Sequence, residues 1–424
     1  MTTFDRFERD LPIALEDLYG GPTPSYRDDI LRQTAATRQR PGWTFIERWF
    51  PMSAITERMA TAPRFPLRAA VAVALLVLAL VAGALYVGSQ QRRLPAPFGP
   101  AGNGVIPYVA GGELYLGDPV SGESRLLVGA DQAPSLGGAF FPLFSPDGTK
   151  VAFARDRGVG GGDIVDVFVV DDDGSDLVKV TAEPIAFWKW MGWTPDGRLA
   201  IVHQVSAGTD QLDVYDAVAG GSAQTVTSAV GIENVQFRPP DGREILYRAQ
   251  GNGTDGLYAM NADGTNVHPL VVRPEGSLWG GAVYSADGNR IFFTRDYPTE
   301  TPTGTCCNLW VMNADGSNAQ QFIPNEGTAW DGQPVVSPDG TRVAFWNGRV
   351  SVVGADGTGP VIQTGPDPAA TAHWVWAPDS SKILMYSDDD SSPNAYLLDP
   401  DGGPSETVPW RSDADLDWQR VAAD

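Results

Sequence analysis

Cysteine, histidine and cationic side chains are all scarce in this chain of 424 residues. The two cysteines, Cys306 and Cys307, are adjacent, which excludes a disulfide framework and any zinc or redox site of the CxxC type. The three histidines lie far apart and leave little for metal or triad chemistry. The net charge of −22 argues against nucleic acid as a partner, because phosphates must be met by clustered Lys and Arg.

Long stretches without glycine or proline are also rare, since 48 Gly and 34 Pro interrupt the chain. One long run is apolar nonetheless: AAVAVALLVLALVAGALYVG at residues 69–88 carries no charge and matches the ~20 residues a helix needs to cross a bilayer. We therefore predict a transmembrane helix at 66–88. A signal peptide would have a shorter leader, and a helix in a protein core is seldom apolar on every face.

The flanks of this span predict its orientation in the cell membrane. Four arginines precede the span closely and two follow it, namely Arg48, Arg58, Arg64 and Arg68, then Arg92 and Arg93. Because positive charge is enriched on the cytoplasmic side, we expect a single-pass protein with a cytoplasmic N-terminus and a large extracytoplasmic C-terminal part. Residues 89–104 are rich in proline and glycine and are predicted to form a stalk between the membrane and the following domain.

Residues 1–65 predict a small helical cytoplasmic segment. Apolar side chains recur every three or four positions at Phe4, Phe7, Leu11, Leu15 and Leu18, which is typical of an amphipathic helix. A second helix is expected over YRDDILRQTAATRQR. Helices of this size rarely build a secure core, so we expect a cytoplasmic protein partner or the membrane surface to complete them.

A turn motif recurs through the rest of the chain. Its six copies are SPDG at 145–148, TPDG at 194–197, PPDG at 239–242, SADG at 285–288, SPDG at 337–340 and APDS at 377–380. They are about 45 residues apart, a period typical of propeller blades. Pro146 presets a negative φ, Asp147 can cap the backbone, and Gly148 supplies the positive φ that closes a hairpin. Each unit contains a second hairpin, so a four-stranded antiparallel blade is predicted.

These blocks resemble the TolB-like, WD40-like (PD40) repeats of β-propellers, including those of prolyl-oligopeptidase-type proteins. The resemblance covers about 105–421 and implies an all-β propeller domain over 105–424. We count seven blades, and six, as in TolB, stays an alternative. The first unit, at 105–128, lacks an inner strand, and we expect residues 416–421 to supply it, with Trp418 in the aromatic position of the other repeats.

Catalysis, cofactors and metals are not expected. The resemblance extends to peptidases, but no GxSxG nucleophile motif occurs. The acidic run at 171–176 suggests a calcium loop, yet Val180 stands where the closing Glu is needed, so an Asp-Gly hairpin is favoured. Cys306 and Cys307 lie in the longest insertion, where a disulfide between them and two free thiols are both open.

Aromatic side chains that precede the inner strands are candidates for a binding site. In propellers of this type that segment borders one mouth of the central channel, and an aromatic mouth suits a protein or peptide. The candidates are Trp188, Trp190, Trp279, Trp330, His373 and Trp374. The alternative for each tryptophan is packing between blades.

The overall layout resembles transmembrane anti-sigma factors, but the zinc-binding His and Cys residues of their commonest domain are absent. We therefore expect a non-catalytic, membrane-anchored sensor whose external propeller binds a protein or ligand and whose inner helices engage a partner such as a sigma factor. The alternative is an external scaffold for protein interactions on an inert anchor.

Overall fold

A computed structural model describes residues 94–133, 139–157, 164–251, 254–274, 281–296, 307–323, 331–366, 372–387 and 394–423, together with Leu75 and Val77. The chain divides into two compact units, Met1–Gln91 and Arg92–Asp424. The predicted cytoplasmic helices lie outside the described residues, as does the predicted span apart from Leu75 and Val77, which are helical. No helix within the described part is long and apolar enough to cross a membrane.

The second unit is built from strands joined by tight turns. Strand β1 (Gly102–Asn103) precedes the blades, and the first three blades contain β2 (Ile106–Ala110), β3 (Glu113–Gly117) and β4 (Ser124–Val128); β5 (Ala139–Phe144), β6 (Lys150–Asp156), β7 (Ile164–Asp171) and β8 (Val178–Lys179), with β9 (Ile185–Ala186) beside β7; and β10 (Trp188–Trp193), β11 (Leu199–Ser206), β12 (Thr209–Tyr215) and β13 (Ala223–Ala229). Consecutive strands pair as antiparallel hairpins.

Four further blades repeat this order. They contain β14 (Glu233–Phe237), β15 (Glu244–Gly251), β16 (Thr254–Asn261) and β17 (His268–Pro274); β18 (Ala282–Tyr284), β19 (Arg290–Asp296), β20 (Cys307–Asn313) and β21 (Gln320–Gln321); β22 (Asp331–Val336), β23 (Arg342–Asn347), β24 (Val350–Gly354) and β25 (Ile362–Thr364); and β26 (Ala372–Trp376), β27 (Ile383–Ser387), β28 (Ala395–Leu398) and β29 (Glu406–Thr407), followed by β30 (Arg420–Val421). The prediction of seven blades is confirmed, and six is excluded.

Hydrophobic packing closes these blades into a ring. Among the described residues, each of the seven interfaces between neighbouring blades has its own buried cluster. The cluster between blades 7 and 1 joins Leu384 and Leu397 to Ile106 and Trp418, so the two ends of the domain share one core. The first strands of successive blades contact one another, which places them around the central axis.

The turn motif has the predicted geometry. Gly148 and Gly340 have φ of +68° and +72°, and Ser380 takes the same position in the seventh blade at +66°. In blade 2, the Asp147 carboxylate accepts hydrogen bonds from the Ser145 hydroxyl at 2.6 Å and the Thr149 amide at 3.1 Å. The acidic run at 171–176 likewise forms a hairpin, with Gly174 at +89°.

The closing strand is shorter than predicted. Only Arg420–Val421 of residues 416–421 is a strand, and it pairs with Gly102–Asn103 rather than with β2. The preceding segment still follows β2, because Asp413 and Gln419 donate from their amides to the carbonyls of Val109 and Val105 at 2.7 and 2.9 Å. The ladder is irregular because side-chain oxygens replace backbone carbonyls as acceptors. The Val105 amide donates a hydrogen bond to Gln419 Oε1, and the Val109 amide donates one to Ser412 Oγ.

Candidate functional site

The inner strands define two ends of the central channel. We call the side on which the SPDG-type turns lie the turn end, and the opposite side, where each inner strand begins, the loop end. Of the residues proposed from the sequence, Trp188, Trp190, His373 and Trp374 are described, and they lie in the first half of their inner strands, at the loop end or in the middle of the channel wall.

Two of the candidate tryptophans lie in blade 3. The half-buried Trp188 ring packs edge-on against Phe140 and Phe141 of blade 2, with centroids 5.6 and 5.2 Å apart. Trp190 packs instead on the cluster between blades 3 and 4, and its ring covers Gly192 so closely that an added Cβ there would overlap it. Trp188 therefore joins one pair of blades and Trp190 the next.

Two more candidates lie in blade 7. Trp374 stacks on Trp346 of blade 6 with centroids 6.0 Å apart, while His373 is exposed, with its Nδ1 3.8 Å from an Asp415 carboxylate oxygen. Trp279, Trp330 and Cys306 lie outside the described residues, and Cys307 begins β20. The described tryptophans pack between blades, and a binding role for the loop end stays a prediction.

The structure shows a cavity toward the end of the channel opposite to the one expected from the sequence, and of the described candidates only Trp190 lines it. About 330 Å³ of space opens toward the turn end of the channel, walled by the inner strands of blades 2, 3 and 4 through residues that include Phe141, Phe144, 190–193 and 235–237. Pro146 and Pro195 of two turns, and Pro97 and Phe98 of the stalk, complete the wall. The lining is mostly apolar and aromatic.

Asp417 is the one ionisable side chain among the residues that line this cavity. Its Oδ2 accepts a hydrogen bond from the Phe144 amide at 2.7 Å. Burial raises the pKa of Asp417 to about 6, against the opposing effect of the Phe144 and Trp418 amides and the Arg420 charge. This carboxyl fixes the C-terminal segment to blade 2 and gives the wall a group that titrates near neutral pH.

Backbone strain recurs in the inner strands. Phe141, Asn234 and Gln333 have φ of +55°, +52° and +51°, and each lies at a register shift between its inner strand and the next strand. Residues other than glycine rarely adopt this conformation, and strain of this kind clusters at functional sites. Sequence reasoning missed these bulges because no glycine marks them.

A second cavity, of about 640 Å³, lies at the rim between blades 2 and 3, beside His203 and Tyr215. The His203 Nε2 is 2.9 Å from an oxygen of buried Asp213. Burial would raise the pKa of Asp213, but hydrogen bonds from His203, Thr225 and Gln211 outweigh it and lower that pKa. Since this pair ties β11 to β12 within one sheet, its arrangement has a structural explanation. Among the described residues, no group of three or more His, Cys, Asp and Glu could hold a metal ion.

Comparison with known proteins supports the fold and part of the sequence resemblance. No family model matches the chain. Over 125 residues it is 35% identical to the Tol-Pal system protein TolB of Anaeromyxobacter dehalogenans, which covers 30% of this chain and 26% of that protein. The match thus spans about a quarter of the length of this curated relative.

Two solved structures share the fold. An oligogalacturonate lyase from Vibrio parahaemolyticus superposes with a TM-score of 0.53 at 13% identity, covering 73% of this chain and 92% of that one. A prolyl endopeptidase gives 0.53 at 16% identity, covering 78% and 51%. At such identities the likeness shows the fold alone.

Proposed function

We propose that this chain is a non-catalytic binding protein whose propeller takes up a segment of another protein at the turn end of its channel. The observation that carries the proposal is the cavity in which Phe141, Trp190 and Phe237 converge from three neighbouring blades. Protein interfaces concentrate their binding energy where aromatic and apolar side chains fill such pockets. The resemblance to TolB, whose name assigns it to the Tol-Pal system, agrees with an interaction role.

The chemistry of the cavity favours binding over catalysis. The two structural neighbours named above are enzymes, so the fold alone does not decide. General acid–base or nucleophilic catalysis needs at least two polar groups within reach of one substrate atom. Asp417 is the only ionisable residue in this wall, and its Oδ2 is engaged by a backbone amide.

Filling the cavity tests the proposal. Gln236 lies in the wall and is half-buried, so Gln236→Trp should occupy the space without removing core packing. The matched control is Gln224→Trp, at an exposed position of β13 in blade 3. A proximity-labelling enzyme fused to the full chain measures partner binding. We expect one protein to be labelled equally by the wild type and the control, and its labelling to fall at least about tenfold for Gln236→Trp. Equal labelling by both variants would refute binding in this cavity.

The membrane layout belongs to the same proposal. The uncharged run at 69–88 and the arginines before it support an N-terminus in the cytoplasm and a propeller outside. Reporter fusions at Thr2 and Asp424 test this, and a cytoplasmic signal from Asp424 would contradict it. Deleting residues 1–65 separates a sensor, which would lose its inner partner such as a sigma factor, from a scaffold on an inert anchor, which would not.

A further inference from the structure

The stalk contributes to the cavity although it belongs to no blade. Pro97 and Phe98 form part of the wall, whereas strand structure begins only at Gly102. Phe98 is half-buried, while Leu94, four residues earlier, is 54% exposed. A Pro-Phe pair from this chain thus borders the cavity in which the proposed partner would bind.

Arg420 holds this pair through the backbone. Its Nη2 donates hydrogen bonds to the carbonyls of Ala96 at 3.0 Å and Gly99 at 2.6 Å, one on each side of Pro97 and Phe98. Gly99 turns the chain with φ of +81°. Because these hydrogen bonds go to carbonyl oxygens, any peptide with an apolar pair between two accessible carbonyls offers the same acceptors.

The attachment beyond Gly99 is independent of these contacts. The Ala101 amide donates to the Pro378 carbonyl at 2.9 Å, and the Asp379 amide donates to Asn103 Oδ1 at 3.0 Å. Strand β1 then pairs with β30. Residues 96–99 can therefore leave the cavity while the ring stays closed.

We propose that residues 96–99 are a displaceable part of the cavity wall, and that the partner is a protein segment presenting a proline–aromatic pair at the same place and its carbonyls to Arg420. This inference rests on the proposed function and adds the chemistry of the partner and its competition with the stalk. A tethered segment has an effective concentration in the millimolar range, so it weakens binding of a free peptide at the same site.

A labelled peptide of residues 94–100, LPAPFGP, tests the competition on the full-length chain in detergent. We expect the double variant Pro97→Ala with Phe98→Ala, which removes both side chains from the wall, to bind this peptide at least tenfold more tightly than the wild type does. The control Leu94→Ala changes an exposed side chain of the same segment and should bind like the wild type. A peptide with Ala-Ala in place of Pro-Phe should bind neither. Fluorescence anisotropy gives the affinities, and thermal unfolding checks that the variants stay folded.

The outcomes separate this inference from the proposed function. Equal affinity of LPAPFGP for the wild type and the double variant would overturn the displacement of residues 96–99 from the wall. Equal binding of LPAPFGP and its Ala-Ala version would overturn the proline–aromatic partner. Either result can occur while Gln236→Trp still abolishes labelling of the natural partner, in which case only the present inference fails. If Gln236→Trp has no effect on labelling, both the proposed function and the present inference fail.

Discussion

Blade 4 and blade 1 are assembled from the chain in different ways. Blade 4 is one run of chain in which β14, β15, β16 and β17 pair in sequence order. Blade 1 has three such strands and takes its inner edge from the C-terminal segment, where the Val105 amide bonds to Gln419 at a separation of 314 positions. The strand pairing of blade 4 is local in sequence, whereas that of the closing blade depends on both ends of the domain meeting.

The hydrogen bonds at the two places differ as well. In blade 4 the backbone ladder satisfies its own groups over β15 and β16. At the closure, side-chain hydrogen bonds replace part of the ladder. The side-chain Nε2 of buried Gln419 donates to the Gly148 carbonyl at 2.7 Å and to the Asp172 carboxylate at 3.1 Å. Single substitutions should therefore be felt more strongly at the closure than in the regular blades.

Removing the closing segment should have the largest effect. Truncation after Arg411 deletes Asp417, Trp418 and Gln419 and leaves the edge of β2 exposed. Loss of one buried tryptophan alone costs about 3–5 kcal/mol, so we expect the melting temperature of the propeller to fall sharply or cooperative unfolding to vanish. Truncation after Val421, which keeps β30, is the control. Unchanged thermal stability after the longer truncation would contradict the closure.

Three glycines with positive φ allow the closure to be compared with regular blades by the same substitution. An added Cβ at Gly148 would overlap the Arg420 carbonyl oxygen, at Gly340 it would lie 3.0 Å from the Ala286 Cβ, and at Gly197, with φ of +82°, it would meet nothing within 4 Å. The positive φ costs about 1 kcal/mol in every case, and the overlap should raise the total to about 2–4 kcal/mol at Gly148.

Denaturant unfolding of the three alanine variants measures this order. We expect Gly148→Ala to be the most destabilised, Gly340→Ala intermediate and Gly197→Ala the least. Three equal values would show that strain at positive φ decides the cost and that contact with the closing strand adds nothing.

The pH dependence of stability should also differ between the closure and the regular blades. The pKa of Asp417 is about 6 in the folded protein and ~3.9 in an unfolded chain, so the folded state binds the extra proton between these values. Its contribution to stability is therefore full below pH ~4 and is lost as the pH rises through 6. Asp417→Asn keeps an acceptor oxygen for the Phe144 amide but cannot ionise.

Thermal unfolding of Asp417→Asn and the wild type across pH 5 to 8 checks this effect. We expect the variant to be more stable by about 1–2 kcal/mol at pH 8, with the difference shrinking toward pH 5. A constant difference would show that Asp417 does not titrate in this range. Asp339→Asn, in a turn of blade 6 where hydrogen bonds from Ser337 and Thr341 outweigh burial and lower the pKa, should show no such trend between pH 5 and 8.

The smallest effect is expected for the turn carboxylate. Burial would raise the pKa of Asp147, but hydrogen bonds from Ser145 and Thr149 outweigh it and lower that pKa. Asp147→Ala loses these bonds at a partly exposed turn and should cost about 1 kcal/mol, less than Gly148→Ala. If a cation organised the turn instead, a chelator would lower the melting temperature of the wild type and leave Asp147→Ala unchanged.

The regular blades were predictable because each repeat signals its own structure. The turn residues of the SPDG-type motif specify φ locally, and the β-branched and aromatic runs beside them favour strands. The register of the closing segment was predicted less well: Trp418 is buried as expected, but most of residues 416–421 is not strand. Its ladder is interrupted by side-chain hydrogen bonds to distant amides, and a single sequence does not show such pairings.

The sequence by itself determined the all-β repeat, the seven blades and the positive φ of Gly148 and Gly340, because turn chemistry and strand propensity act over a few residues. Only the tertiary structure decided that Phe141, Trp190 and Phe237 share one cavity, that Phe98 of the stalk lies in its wall, and that burial raises the pKa of Asp417 there. Those properties depend on which side chains the closed ring brings together, and this is set by the angle and order of the blades rather than by any local stretch of sequence.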